Sequence, residues 1–299
     1  MKVALFSDIH GRFRVVLRML RCWQLAHQAR LDGALIAGDT GCFADVSRFD
    51  GATRKRCMQQ PEEAGFSKYF VQPLPEVWSM IRQDPKLGAY SSLEFPILFV
   101  PGNHEDFDFL ASCSKQGPAS NGPARTFPVD CYQMFHCIKN GTVTSLSAMD
   151  NTSIRIAGLW GIEQGRADAP YVISEEAVEM LMIQGPGSFD VLLTHDAALD
   201  AYSGGRGSML IAELIRFCEP PFHLFGHVKP REGRYEYNLE GTRTRSIHLN
   251  QVTFGKNSES NLADAMAILT WDGKQGEVEI VQDEWLSRMR SHNWDRVLP

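Results

Sequence analysis

The chain has no Cys-x-x-Cys pair, no long apolar run and no surplus of basic charge. Its seven cysteines are odd in number and scattered, which argues against a disulfide framework or a thiolate zinc site and suits a reducing compartment. No stretch approaches the ~18 apolar residues of a membrane span. The four apolar residues 3–6, with Asp8 close behind, are too few for a signal peptide. A cytoplasmic protein without membrane contact is expected. With 30 Lys and Arg against 36 Asp and Glu, the net charge is −6, so no global field draws the chain to nucleic acid or anionic lipid. Hydrophobic residues at 43% and charged residues at 22% exclude a disordered or fibrous chain. At 299 residues it can bury a core without covalent staples.

What is present is a series of short apolar runs, each ending in polar residues with a glycine close by. They lie at 3–7, 34–37, 97–100, 191–194 and 223–225. Runs of this kind read as strands buried on both faces. Helices are expected over 13–29, where Val16, Leu17, Leu20 and Trp23 recur at helical spacing, and over 75–82, 175–183 and 208–217. Residues 132–138, 153–158, 235–252 and 266–281 read as further, antiparallel strands, the last closed by a turn at Asp272-Gly273. The expected fold is α/β, with two mixed sheets packed as a sandwich and helices on the outer faces. A single domain over 1–283 is expected, carrying a partly helical insertion at 43–95 and followed by a tail at 284–299. Residues 114–128, rich in Gly, Pro, Ser and Asn, read as a long surface loop.

The chemistry lies just after the strand ends. In order stand Asp8 and His10, Asp39, Asn103 and His104, His195, and His227. In α/β sheets the loops at the carboxyl ends of strands converge on one crevice. Carboxylates, an amide oxygen and imidazoles together suit manganese, iron or zinc better than magnesium or calcium.

These blocks resemble those of the calcineurin-like metallophosphoesterase superfamily. That pattern runs Asp-x-His, Gly-Asp, Gly-Asn-His-Asp/Glu, a lone His and Gly-His-x-His. Here it reads Asp8-Ile9-His10, Gly38-Asp39, Gly102-Asn103-His104-Glu105, Thr194-His195 and Gly226-His227-Val228-Lys229. The resemblance implies two divalent metal ions, manganese first and iron or zinc as alternatives, bridged by Asp39. Asp8 and His10 complete one metal, and Asn103, His195 and His227 the other. It further implies a water activated between them that attacks phosphorus in line, with His104 as the catalytic residue that stabilises or protonates the reacting phosphoester. The expected activity is hydrolysis of a phosphoester, a phosphodiester in a nucleotide or RNA ahead of a phosphomonoester. A catalytically weak scaffold on the same fold is the remaining alternative.

Two departures qualify the resemblance. Lys229 stands where the last block should end in histidine, and Cys42 and Phe43 stand where the protein phosphatases of the superfamily carry an Asp-Arg pair that orients the histidine and grips phosphate. A looser likeness is to RNA lariat debranching enzymes, through Arg56-Cys57-Met58, residues 154–162 and Thr194-His195-Asp196. Those enzymes have cysteine in place of Asp8 and keep the final histidine. Further substrate contacts are sought at Arg12 and Arg14, at Phe107 and Phe109, in the Ser203–Ser208 turn, and in the basic clusters at 54–56 and 243–245.

Overall fold

The computed structural model describes residues 1–116, 125–165, 168–200, 205–228, 234–255 and 262–299. Along the chain the strands are β1 (Lys2–Phe6), β2 (Gly33–Ala37), β3 (Ile97–Val100), β4 (Thr126–Pro128), β5 (Phe135–Ile138), β6 (Thr142–Ser147), β7 (Ser153–Gly158), β8 (Val191–Leu193), β9 (Phe222–Phe225), β10 (Glu236–Asn238), β11 (Arg245–His248), β12 (Ala267–Trp271) and β13 (Gly276–Ile280). The helices are α1 (Phe13–His27), α2 (Gly51–Cys57), α3 (Gly65–Tyr69), α4 (Pro75–Ile81), α5 (Phe107–Gln116), α6 (Glu175–Ile183), α7 (Met209–Cys218) and α8 (Glu284–Arg288).

One sheet has the order β13-β12-β1-β2-β3-β5-β4 and the other β10-β11-β9-β8-β7-β6. Each has four parallel strands at its centre, β1, β2, β3 and β5 in the first and β7, β8, β9 and β11 in the second. Antiparallel strands close both edges of each sheet.

Alternation along the strands sets the layers. Val3 and Leu5 of β1, Leu35 of β2 and Leu98 of β3 turn inward and meet Ile154, Ile156, Val191, Leu193 and Leu224 of the second sheet. Ala4, Phe6, Ile36 and Phe99 face the other way and pack on Val16, Leu17 and Leu20 of α1. On the far side Ala157 and Leu192 pack on α6 and α7. The two-sheet sandwich with outer helices is the expected architecture. Strands buried on both faces are also why the first, second and third runs are nearly unbroken apolar stretches.

The helices at 13–29, 75–82, 175–183 and 208–217 appear within two residues of their expected bounds. The strands at 132–138 and 153–158 are present, but their antiparallel partners are β4 and β6, and each also has a parallel neighbour. Thr142–Ser147 was not legible because most of its side chains are polar or partly exposed, as suits an edge strand. The region read as a loop at 114–128 begins inside α5 and ends in β4, and residues 117–124 of it lie outside the described residues. After residue 283, Trp285, Leu286, Met289 and Trp294 are buried in the core between the first sheet and its helices. Among the described residues, no helix is long and apolar enough to cross a membrane.

Candidate metal centre

The carboxyl ends of β1, β2, β3, β8 and β9 deliver Asp8 and His10, Asp39, Asn103 and His104, His195, and His227 respectively. The first two turns are tied to each other by backbone bonds, His10 N–H to Asp39 O at 2.8 Å and Gly11 N–H to Thr40 O at 2.7 Å. His10, Asp39 and His227 all have left-handed backbone, at φ 42°, 43° and 68°. Non-glycine residues adopt that region at a cost, and such strain concentrates where side-chain placement matters for function.

Asp39 is the hub. Its Oδ1 accepts the Asn103 and His104 N–H groups, each at 2.9 Å, and lies 3.3 Å from His195 Nε2. Donor atoms of Asp8, Asp39 and His195, all buried, fall within 4.8 Å of one another. His10 is beside them, with Nε2 4.0 Å from Asp8 Oδ1 and Nδ1 4.0 Å from Asp39 Oδ2. The His227 ring is edge-on to His195 at 5.1 Å, and the His227 backbone N–H donates to Asp8 Oδ2. The centre thus draws together both aspartates and three of the histidines named from the sequence.

Whether a cation fits is answered by the polar atoms left over. Asp8 Oδ1, Asn103 Oδ1 and His195 Nε2 are buried and have no hydrogen-bond partner among the described residues. Buried polar atoms are ordinarily paired, so orphans of three donor types on neighbouring turns, two of them in the Asp8, Asp39 and His195 cluster, fit a metal ion. His195 Nδ1 donates to the Ala37 carbonyl at 2.9 Å, which orients the ring and turns Nε2 towards Asp39. Burial opposes a charge on His195, yet the negative charge of Asp39 and Asp8 lifts its pKa to about 10. A cation bound at Nε2 takes the place of that proton, so binding releases it.

Two motif glycines are needed for close approach. A Cβ on Gly102 would lie 2.2 Å from Asp39 Oδ1 and 2.6 Å from His195 Cδ2, and one on Gly226 would lie 2.5 Å from Asp8 Oδ2. Gly102→Ala is therefore expected to cost about 1–3 kcal/mol through overpacking and to lower the melting temperature by several degrees. Thermal unfolding with and without added manganese checks this, with the larger deficit in the loaded protein because the clash falls on the donors.

His104 has a partner the sequence did not reveal. Its Nδ1 bonds Asp50 Oδ2 at 2.8 Å. Asp50 caps α2, its Oδ1 accepting the Thr53 N–H at 2.8 Å. Burial disfavours the imidazolium, but the Asp50 bond and the charges of Asp39 and Asp50 outweigh it and raise the His104 pKa. Burial likewise opposes the Asp50 carboxylate, while His104 and Thr53 hold its pKa down at about 2. The positions of the protein-phosphatase Asp-Arg pair hold Cys42 and Phe43, both buried. An aspartate eight residues beyond Cys42 bonds the histidine instead. The helix start at Asp50 was open to reading from an N-cap residue three before Thr53. Its reach to His104, 54 residues away, had no local signal.

Glu105 is buried and binds the β2 turn, accepting the Thr40 and Cys42 N–H groups at 2.7 Å. Burial, reinforced by the charge of Asp39, lifts its pKa to about 7. Arg12 is buried on Gln60 and Glu63, and Arg14 stacks over Tyr69 and Trp294. Both expected phosphate contacts are thus engaged elsewhere. Phe109 packs edge-on against Phe66 in the core, because α5 turns it inward. In the basic cluster at 243–245, Arg245 is paired with Glu236 and Glu277. Lys229, and residues 203 and 204 of the Ser203–Ser208 turn, lie outside the described residues. Arg56 lies at the site, with Nη1 3.3 Å from His10 Nε2.

The family model for calcineurin-like phosphoesterases matches residues 1–230. The chain belongs to that family. Family members are metal-dependent phosphoester hydrolases, typically with a dinuclear divalent centre, and the Asp/His cluster fits such a site. None of the curated proteins matches the sequence significantly. Among solved structures, TT1561 of Thermus thermophilus aligns with a TM-score of 0.51 and 13% identity, covering 94% of this chain and 99% of its own. Another crystal structure aligns at 0.50, also with 13% identity, over 93% of this chain and 98% of its own. At such identities the likeness extends to the fold alone, and it is the fold of a calcineurin-like phosphoesterase.

Proposed function

We propose that this calcineurin-like phosphoesterase hydrolyses a phosphodiester in a nucleotide or RNA, with His104 as the proton donor to the leaving oxygen. In this reading Asp8, His10, Asp39, Asn103, His195 and His227 hold two divalent cations, manganese first. When bound, the pair supplies positive charge for the phosphate oxygens and an acidified water. The observation that carries the reading is the Asp50–His104 bond. Asp50 accepts from Nδ1, so Nε2 is the nitrogen left to present a proton. The Asp50 bond and the nearby carboxylates raise the His104 pKa, which favours the protonated ring. A held proton matters most when the leaving group is a poor one such as a sugar hydroxyl, where protonation in the transition state contributes about 10²–10⁴-fold. His104 is also close to the metal turn, its ring centroid 6.0 Å from that of His10.

Support for a nucleotide or RNA comes from the block over 154–162, the stretch that resembles debranching enzymes. It leaves β7 and returns to the β3 turn, where Gly161 N–H donates to Pro101 O beside Asn103. All seven cysteines are free, in keeping with our reading of a reducing, cytoplasmic compartment.

The test is turnover of a paired chromogenic monoester and diester by protein stripped of metal and then given manganese. Diester cleavage that returns with manganese supports the proposal and directs attention to 2′–5′ and 3′–5′ linked RNA. Preferential monoester cleavage would overturn the diester assignment and point to nucleotide or protein monophosphates.

A further inference from the structure

The guanidinium of Arg56 stands against the His10 ring nitrogen that is nearest Asp8. Its Nη1 donates to His10 Nε2 at 3.3 Å, and that same nitrogen is 4.0 Å from Asp8 Oδ1. An unprotonated imidazole nitrogen has one lone pair in the ring plane. It can accept the Arg56 N–H or bind a cation, but not both.

The charge around Arg56 sharpens the conflict. Glu63 is buried between two guanidiniums, with Oε1 3.1 Å from Arg12 Nη2 and Oε2 3.4 Å from Arg56 Nε. Glu63 is thus shared between two guanidiniums, while the Asp8 and Asp39 carboxylates each lie 4.0 Å from His10. Arg12 Nε and Nη1 and Arg56 Nη2 are buried without hydrogen-bond partners among the described residues. In a partly desolvated site the Arg56 charge is poorly screened from an arriving cation. The donors proposed for the other cation face no guanidinium. His195 Nε2, 3.3 Å from Asp39 Oδ1, and Asn103 Oδ1 have no hydrogen-bond partner among the described residues, so a cation there displaces no guanidinium from them. Arg56 has somewhere to go, since its side chain is 34% exposed.

We propose that Arg56 makes the two cation positions unequal. One cation binds tightly on Asp39, Asn103, His195 and His227. The other, on Asp8 and His10, binds weakly because it must displace the Arg56 guanidinium from His10. This rests on the two-cation reading above and adds to it an order of filling and the residue that sets it.

The test is calorimetric titration of the metal-stripped full chain with manganese, which reads binding without reference to turnover. The native protein is expected to show two events separated by about a hundredfold or more in affinity. Releasing a hydrogen bond to a charged group is worth enough to change an affinity by about tenfold to a hundredfold. Arg56→Gln should therefore tighten the weak event by about that factor and leave the tight one unchanged. Arg56→Met, which keeps the apolar stem but neither charge nor donor, should do the same, and an unchanged tight event in both certifies the fold. Two equal events in the native protein, or a weak event that neither substitution strengthens, would overturn the proposal. Asp39→Asn separates the premise from the inference. If that variant binds two cations as the native chain does, Asp39 is not their shared ligand and the ligand assignment on which the proposal rests fails whatever Arg56 does.

Discussion

Asp39→Asn is expected to lower turnover by about 10³-fold or more and to strip the protein of at least one cation. In the proposed two-cation site Asp39 serves both positions, and a neutral amide there removes the charge they would share. The substitution is close to isosteric, and the oxygen of the new amide can still accept the Asn103 and His104 N–H groups that Asp39 Oδ1 now holds. The turn should keep its shape, so the loss falls on metal and chemistry rather than on folding. His195 registers the change as well. Its pKa of about 10 owes most of its rise to Asp39, so the variant's His195 should titrate at lower pH. Metal content after dialysis, turnover with excess manganese, and histidine NMR titration of the metal-free variant check the three parts. Full activity with a normal metal content would mean that Asp39 is only a structural turn residue.

His104→Ala is expected to cost about 10²–10⁴-fold, and the loss should depend on the leaving group. Esters of nitrophenol, which leave as stable anions, should lose least. Esters of sugar or alkyl hydroxyls should lose most, because they need the proton. A uniform loss across leaving groups would assign His104 to charge stabilisation on the phosphoryl oxygens instead. Asp50→Asn offers a finer test of the same group. Without the carboxylate the His104 pKa falls, so the alkaline limb of the pH–rate profile should move to lower pH while the acid limb stays. Stability should respond in a defined window. The folded His104 pKa is raised from 6.5, so its contribution is complete below that value and is lost as pH rises through the folded pKa. The folded Asp50 pKa is lowered from 3.8 to about 2, so its contribution is present above 3.8 and is lost as pH falls towards 2. The bond therefore stabilises the fold most between about pH 4 and 6.5. The destabilisation of Asp50→Asn should peak there and shrink on the alkaline side, which denaturant unfolding at a series of pH values would show.

The ends of the buried strands were legible because a parallel strand covered on both faces must be apolar until it leaves the sheet. The first polar residue after each run marks the crevice, and Asp8, Asp39, Asn103, His195 and His227 were all found that way. The helices at 13–29 and 175–183 followed from periodicity. The edge strands β4 and β6 did not, because a short or half-exposed strand has no apolar run to announce it. Asp50 and Glu63 escaped for another reason, as did the bond from Arg56, named only within a basic cluster, to His10. All three residues lie in the partly helical stretch after β2 and meet His104, Arg12 and His10 respectively across about fifty residues. Local sequence carries the helix start at Asp50 but not its distant partner. Arg12 shows the opposite error. Its place beside Asp8 and His10 suggested a contact with phosphate, whereas its guanidinium is buried on Glu63.

The pairing of β1 with β12 bears on how the molecule is made. Val3 and Leu5 lie opposite Leu269 and Ala267, so the strand that presents Asp8 and His10 waits for a neighbour synthesised some 260 residues later. A nascent chain that has emerged only as far as residue 230, the end of the family match, already contains all seven residues assigned to the reaction. It still lacks one side of β1, and the hairpin of β12 and β13 that covers that side has yet to be translated. Contacts so distant in sequence form slowly and leave an open strand edge in the meantime. All the residues of the site would thus be translated before the strand that completes the sheet carrying them.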